Sequence, residues 1–244
     1  MKEFFALVLY AFLLTQASAQ EKIFLAAEDD WYPYSARIGN QAQGRTVDIV
    51  RAAYDSVGAT LSLEVVPFNR GMIRAKDGHY AGVFNAGLND DVRRDYLIPR
   101  NHVAISEQVV IARIGEPFQG TQSFNGKRLS LTLGYTYPIE ITSDPRNKVS
   151  RAVGDINGLR MVAARRADFT VIDRLVALSI LIREPPLKQQ LAIVGTLDSE
   201  PIYVVFAKTD AGEKARAAFD QGMDKINRNG ALKQIHEDWE TKLR

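Results

Sequence analysis

Residues 87–99 read GLNDDVRRDYLIP, and they follow closely on the apolar run AGVF at residues 81–84. The apolar run reads as a buried strand. Asn89 and Asp90 are residue types that open helices by capping free N–H groups. A buried strand passing straight into a helix is the building unit of an α/β fold. The same junction sets Arg93 just inside the helix. An arginine beside unpaired helix N–H groups makes an anion site, and its planar fork fits a carboxylate through two parallel hydrogen bonds. The competing reading is that Arg93 and Arg94 are solvated charges on a surface helix, the usual state of charged side chains.

Upstream, the pattern that leads into this stretch repeats. KIFLAA at residues 22–27 is a first buried strand, ended by Glu28. Val47, Val50, Tyr54 and Val57 recur at helical spacing, and Gly58 closes that helix. Residues 60–66 are a second strand, and Asn69 is read as the cap of a helix over 70–76. Strand, helix, strand, helix, strand implies a parallel sheet with right-handed crossovers. Between the first strand and first helix lies Trp31-Tyr32-Pro33-Tyr34, a loop in which Pro33 bars helix. Aromatic rings beyond the carboxyl end of a strand either line a ligand site or cap the edge of the core.

Downstream, EQVVIAR at residues 107–113 is an apolar strand followed by Gly115, Pro117 and Gly120 instead of a helix. It reads as a crossover into a second half. There the pattern restarts: a strand over 128–133, the turn Gly134-Tyr135, a short helical segment and a β-rich stretch over 148–153. A helix over 156–165 and a strand over 168–172, ended by Asp173, come next. Leu175, Leu178 and Ile182 mark the next helix, stopped by Pro185-Pro186. Residues 191–194 are another strand, and IYVVFA at 202–207 is the return crossover. The tail is helical, with Ala215, Phe219 and Ile226 on one helix and Leu232, Ile235 and Trp239 on the next. Both are expected to pack on the first half. The expected organisation is α/β with two lobes, the first discontinuous over 20–108 and 205–244, the second over 109–204. Two connecting strands make a hinge, and the cleft between lobes is a common ligand site.

Residues 1–19 read as a cleavable signal peptide. Lys2 precedes an apolar run over 4–14, and Ala17-Ser18-Ala19 is a small-x-small cleavage site. No cysteine stands at that point to accept a lipid. About 225 residues would remain, enough for two lobes of ~100 each. A net charge of +2 argues against a nucleic-acid partner. The absence of cysteine removes disulfides, thiolate metal sites and a cysteine nucleophile. His79, His102 and His236 have no metal-ligand spacing, and no P-loop, G-x-G-x-x-G or G-x-S-x-G motif occurs. No metal or cofactor is expected. What the sequence does offer is opposite charge at strand ends of both halves. A zwitterionic amino acid needs one positive fork and one carboxylate, and Arg93 and Asp173 would supply them from opposite lobes. The alternative for Asp173 is to cap the helix that starts at Arg174.

The order and spacing of several short pieces resemble the bacterial extracellular solute-binding proteins of family 3, periplasmic receptors of polar amino-acid importers. The pieces are the Trp31–Tyr34 loop, Gly44-Arg45-Thr46-Val47-Asp48-Ile49, Pro67-Phe68-Asn69-Arg70, Gly78-His79-Tyr80-Ala81-Gly82 and Val92-Arg93-Arg94-Asp95-Tyr96. In the second half they are residues 124–128 (FNGKR), Gly134-Tyr135, residues 166–173 (RADFTVID) and the tail 229–235 (NGALKQI). The resemblance implies a type II periplasmic-binding fold with Arg93 on the ligand α-carboxylate and Asp173 on its ammonium. Trp31 would stack on the ligand, Glu28 would tune its side-chain preference, and Gly134 would offer backbone N–H groups. Tyr34, Tyr135, Asn85 and Leu88 join the expected lining. The sequence departs from the family pattern at Leu88, where many members place a threonine, and at Val92, where a glutamate is usual. The implied function is capture of a small polar carboxylate-bearing ligand, foremost an amino acid, and its presentation to an ABC transporter. A sensory input to a membrane receptor and a cyclohexadienyl-type dehydratase using Glu28 or Asp173 as acid are the alternatives. The expectation is a monomeric, non-enzymatic protein of the periplasm.

Overall fold

A computed structural model describes residues 22–243. The expected signal peptide, residues 1–19, lies outside them. The chain opens with β1 (Lys22–Glu28), buried over nearly its whole length. Then β2 (Asp30–Trp31), β3 (Ser35–Ile38) and β4 (Gln41–Gln43) form a small antiparallel sheet of their own. Strands of two to four residues are too short to show a period in the sequence. Helix α1 (Arg45–Ser56) buries Val47, Val50 and Tyr54 as their spacing implies, and Gly58 takes the left-handed conformation past its end.

β5 (Thr60–Val66), α2 (Phe68–Lys76), β6 (Gly82–Gly87), α3 (Asp90–Asp95) and β7 (Tyr96–Leu97) follow. β5 and β6 lie parallel on either side of β1. Asn89 caps α3, its side chain accepting from the Val92 N–H at 2.8 Å. The cap expected at Asn69 is not one. α2 starts at Phe68 with Pro67 in the cap position, because proline presets the extended entry and has no N–H to satisfy. Asn69 falls inside the first turn, where its side chain is free to face the other lobe.

The second lobe comprises β8 (Ala104–Arg113), a 3-10 turn (Thr121–Phe124), β9 (Arg128–Thr132), α4 (Ile139–Thr142) and β10 (Lys148–Ala152). It continues with α5 (Asp155–Ala163), β11 (Phe169–Asp173), α6 (Arg174–Arg183) and α7 (Pro185–Lys188). β12 (Leu191–Ala207), α8 (Asp210–Arg228) and α9 (Ala231–Lys242) return the chain to the first lobe. β10, β9 and β11 run parallel, and β11 meets β8 antiparallel. One sheet therefore runs β10-β9-β11-β8-β12-β6-β1-β5, with β7 joined to β12. At its centre β8 and β12 pair antiparallel from Leu191 opposite Arg113 to Ile202 opposite Ala104.

Two sequence expectations change here. The strands expected at 191–194 and 202–207 are the two ends of one 17-residue strand. DSEP at residues 198–201 looks like a turn, yet it keeps pairing with β8 through two register shifts. In α6 the core side is Val176, Ala177, Ile180 and Leu181, while Leu178 and Ile182 face outward. RLVALSILIR is apolar on nearly every side, so its period points to no single face. The tail packs as expected: Trp239 is buried and donates its indole N–H to Asp48 of α1 at 2.8 Å.

Candidate functional site

The carboxyl ends of β1 and β6 in one lobe face the carboxyl ends of β9 and β11 in the other. A cavity of about 220 Å³ lies between them. That is smaller than the ~300–1,000 Å³ of drug-sized ligand sites, and it suits a small metabolite. Glu28, Trp31, Asn85, Gly134, Tyr135 and Asp173, all singled out in the sequence, line this one space. The lobes are in contact across it. The Tyr135 hydroxyl donates to Glu28 Oε1 at 3.2 Å, the Asn89 amide donates to Thr136 Oγ1 at 3.0 Å, and the Tyr34 hydroxyl donates to Asp173 Oδ2 at 3.0 Å. Gly134 belongs to the same seam. Its φ is +87°, and a Cβ added there would stand 2.2 Å from the Asn69 amide nitrogen. Only glycine fits that turn at that approach.

Glu28 ends β1 and is 5% exposed. Its Oε2 accepts from the Asn85 amide at 3.2 Å, which with Tyr135 gives it two hydrogen bonds and leaves acceptor capacity unused. Burial pushes its carboxyl up to about 8. The Asn85 hydrogen bond opposes that shift, and the nearby charge of Asp155 adds to it. Asp155, in the first turn of α5, is itself pushed up to about 7 by burial, with only Thr132 to hold it down. Asn85 sits on β6 at φ +61°, a left-handed conformation that asparagine tolerates better than most residues. The amide oxygen of Asn85 is buried without a partner among the described residues.

Asp173 is different. Its Oδ1 accepts from the Leu175 and Val176 N–H groups at 2.8 and 3.1 Å, capping α6. Its Oδ2 accepts from Tyr34 and from the Ser106 hydroxyl at 2.9 Å. Four protein donors fill the sites a carboxylate offers. Burial still holds its carboxyl above the usual range.

Three sequence-selected residues stand outside the lining. Tyr34 lies behind Trp31, ring stacked on ring at 4.4 Å between centroids and 23° between planes. It supports the wall. Leu88 packs into the apolar cluster under β6. The Arg93 side chain is exposed on α3, although Asn89 and Val92 of the same helix do line the cavity. The alternation of a helix explains this: residues three apart share a face, and the next residue turns away. Among the described residues Arg93 has no ion-pair partner, whereas Arg94 is bound to Asp91 and Asp95 at 2.7 and 2.9 Å.

The site also uses residues that sequence reading did not select: Phe68, Asn69, Gln108, Tyr137 and Glu200. Glu200 lies on the middle stretch of β12, between the two expected strands, directly over Gly87, where an added Cβ would meet its Oε1 at 3.1 Å. Burial raises its carboxyl above the usual range. Among the described residues lining the cavity, none is a lysine, arginine or histidine.

The sequence pattern of the bacterial extracellular solute-binding proteins, family 3, matches residues 23–242. The chain belongs to that family. A curated family relative, the probable amino-acid-binding protein YxeM of Bacillus subtilis, is 22% identical over 253 residues, spanning 98% of this chain and 95% of its own. Solved structures share the fold of this solute-binding chain. A mutant of ArgBP from T. maritima superposes with a TM-score of 0.78 at 17% identity, covering 91% of this chain and 96% of its own. A histidine kinase sensor domain with similarity to periplasmic binding proteins reaches 0.80 at 19% identity, covering 90% and 96%. The two-lobed type II architecture is thus the architecture of this family member.

Proposed function

We propose that this protein is a periplasmic receptor that encloses an amino acid between its lobes and offers the closed form to a membrane transporter. The supporting observation is the cavity lined from both lobes at their strand ends and bridged by the Tyr135–Glu28 and Asn89–Thr136 hydrogen bonds. A ligand seated there touches both lobes at once and so favours the closed state over the open one. Arg93 is our candidate for the ligand's α-carboxylate. It follows two lining residues, Asn89 that caps α3 and Val92 within it, and has no ion-pair partner among the described residues, so it is free to swing over the rim.

The test is a thermal-shift screen of the amino acids on the mature protein. A ligand at 100 times its Kd stabilises by about 2.7 kcal/mol, which is readily seen. The expected result is a shift from at least one amino acid that Arg93→Ala abolishes without altering the unliganded melt. If no amino acid stabilises the protein, the receptor reading fails; if the variant keeps the full shift, Arg93 is not the anchor. The raised carboxyl of Glu28 supports one second reading, a general acid in a dehydratase cleft. Prephenate and arogenate are expected to persist unchanged on incubation with the protein, and turnover would favour the enzyme.

A further inference from the structure

The loop after β1 has two sides. Trp31 faces the cavity between the strand ends, while its neighbours Asp30 and Tyr32 face a second crevice of about 120 Å³ that shares no lining residue with that cavity. Both lobes wall this crevice too. Asp30 and Tyr32 come from the first lobe, and Asp155 of α5 and Val176, Ile180 and Arg183 of α6 come from the second. Tyr32 and Arg183 meet across it, the guanidinium carbon lying 5.5 Å from the ring centroid. Asp30 reaches α5 itself: its Oδ2 stands 3.3 Å from where a Cβ on Gly154 would be. Asp155, the next residue, is 2% exposed. Its Oδ1 accepts from the Thr132 hydroxyl at 2.5 Å, and its Oδ2 is buried with no partner among the described residues. A carboxylate buried with an unfilled oxygen relieves that cost by taking a proton.

We propose that Asp155 of the second lobe, covered by Asp30 and Tyr32 of the first, is a pH-dependent latch: the lobes close over Asp155 when it holds a proton and are driven apart when it has lost it. The latch uses the closure that the receptor reading requires and is independent of the solute. The groups around Asp155 do not balance its charge. Thr132 of β9 gives it one neutral hydrogen bond, and Asp30 of β2 and Asp173 of β11 repel it. Glu28 of β1 feels its charge in turn, as do the Tyr135 and Tyr137 hydroxyls of the β9–α4 turn. Arg151 of β10 lies over the Tyr137 ring at 5.6 Å. On α6, Glu184 pairs with Arg160 at 3.5 Å. Arg183 donates to the Ser179 carbonyl and hydroxyl, both at 3.2 Å, and its charge acts on Asp30. Opening the crevice hydrates Asp155 and withdraws Asp30. Its carboxyl then returns from about 7, where burial holds it in the closed form, toward the ordinary value of 3.8. The closed form therefore binds the proton more tightly. Closure is favoured at the acidic end of that window and is lost as pH rises through it. A solute enclosed by the lobes is held more tightly at the same acidic end.

The test is the lobe separation of the unliganded mature protein, measured between two spin labels. The chain contains no cysteine, so Arg70→Cys on α2 and Glu140→Cys on α4, exposed sites on opposite lobes, give a label pair without competing thiols. As pH rises from about 5 to about 7.5, the ratio of short to long distances is expected to fall, with Asp155 contributing up to about tenfold per unit. Glu28 titrates in the same direction, so the comparison of variants carries the test. Asp155→Asn keeps the shape and removes the charge. It is expected to flatten the curve and to leave the closed form about tenfold or more enriched at the upper pH. Asp30→Asn, at an exposed residue whose replacement spares the fold, is expected to enrich it by a smaller factor. If Asp155→Asn follows the curve of the unsubstituted chain, or Asp30→Asn leaves the ratio at the upper pH unchanged, the latch is overturned. One distance at every pH, or a ratio that rises with pH, overturns it as well. The receptor reading is judged apart from all of these, by whether any amino acid stabilises the protein in the thermal-shift screen.

Discussion

Glu28 and Asp173 occupy equivalent places in the two lobes. Each ends a buried parallel strand, each is about 95% buried, and both face one cavity. Their surroundings divide them. Asp173 accepts four hydrogen bonds at 2.8–3.1 Å, two of them from the helix it caps. Glu28 accepts two, both at 3.2 Å and both from side chains. The difference follows from what succeeds each strand. After Asp173 the chain enters α6 at once, so free N–H groups converge on its carboxylate. After Glu28 the chain enters the small β2–β4 sheet, whose N–H groups go to other strands. One lobe spends its strand-end acid on its own fold. The other keeps its acid available.

The largest effect separates them by stability. Asp173→Ala removes a helix cap worth ~1 kcal/mol and leaves the buried Ser106 hydroxyl without its acceptor at ~1–3 kcal/mol, while the Tyr34 hydroxyl loses one bond worth ~0.5–1.5 kcal/mol and keeps the Ile105 carbonyl at 3.3 Å. A loss of about 2–5 kcal/mol in urea unfolding is expected. Glu28→Gln keeps the shape and can still accept from Asn85, so its cost at neutral pH is expected to stay below about 1 kcal/mol. Equal losses for the two variants would erase the distinction.

Much of this contrast was legible in the sequence and part was not. Strand ends at Glu28 and Asp173 were readable because parallel strands buried on both faces are apolar runs, and the first charge after each run marks its exit. The cap at Asn89 was readable for its local chemistry, and it holds. Glu200 was lost because Asp198 and Pro201 imitate a turn, and only pairing with β8, about ninety positions away in the chain, keeps that segment extended. Asn69 was misread as a cap because its partner across the seam, Gly134, is distant in sequence. Local patterns announce where an element ends. They do not reveal which side chain a second lobe will meet.

The next effect is in the pH dependence of the unliganded protein. Glu28 binds its proton more tightly folded, at about 8, than its ordinary value of 4.5. Between these values the folded state holds a proton that the unfolded state has lost. Stability is therefore highest below the lower value and falls as pH rises through the window, by up to a few kcal/mol, roughly 1.4 per unit. Asp155, at about 7, adds a slope of the same sign. Melts across the window should show the decline, and Glu28→Gln should flatten it in part. A stability that climbs over that range would mean Glu28 is already paired with a cation in the empty cleft, contrary to the contrast with Asp173.

The smallest effect is the most discriminating. Tyr34→Phe deletes one of the four donors to Asp173 while keeping the ring that stacks on Trp31. A single hydrogen bond of this kind contributes ~0.5–1.5 kcal/mol, and the carboxylate retains three others, so a loss in that range is expected. Ligand affinity measured by calorimetry should move by less than about threefold, since the wall and Glu28 are untouched. If Asp173 instead held the ligand, freeing one of its lone pairs would strengthen binding to a cation, and affinity would rise as stability fell. Opposite movement of the two quantities would reassign the ligand-facing role from Glu28 to Asp173. A fall in stability with affinity unchanged keeps Asp173 as scaffold and leaves Glu28 facing the ligand.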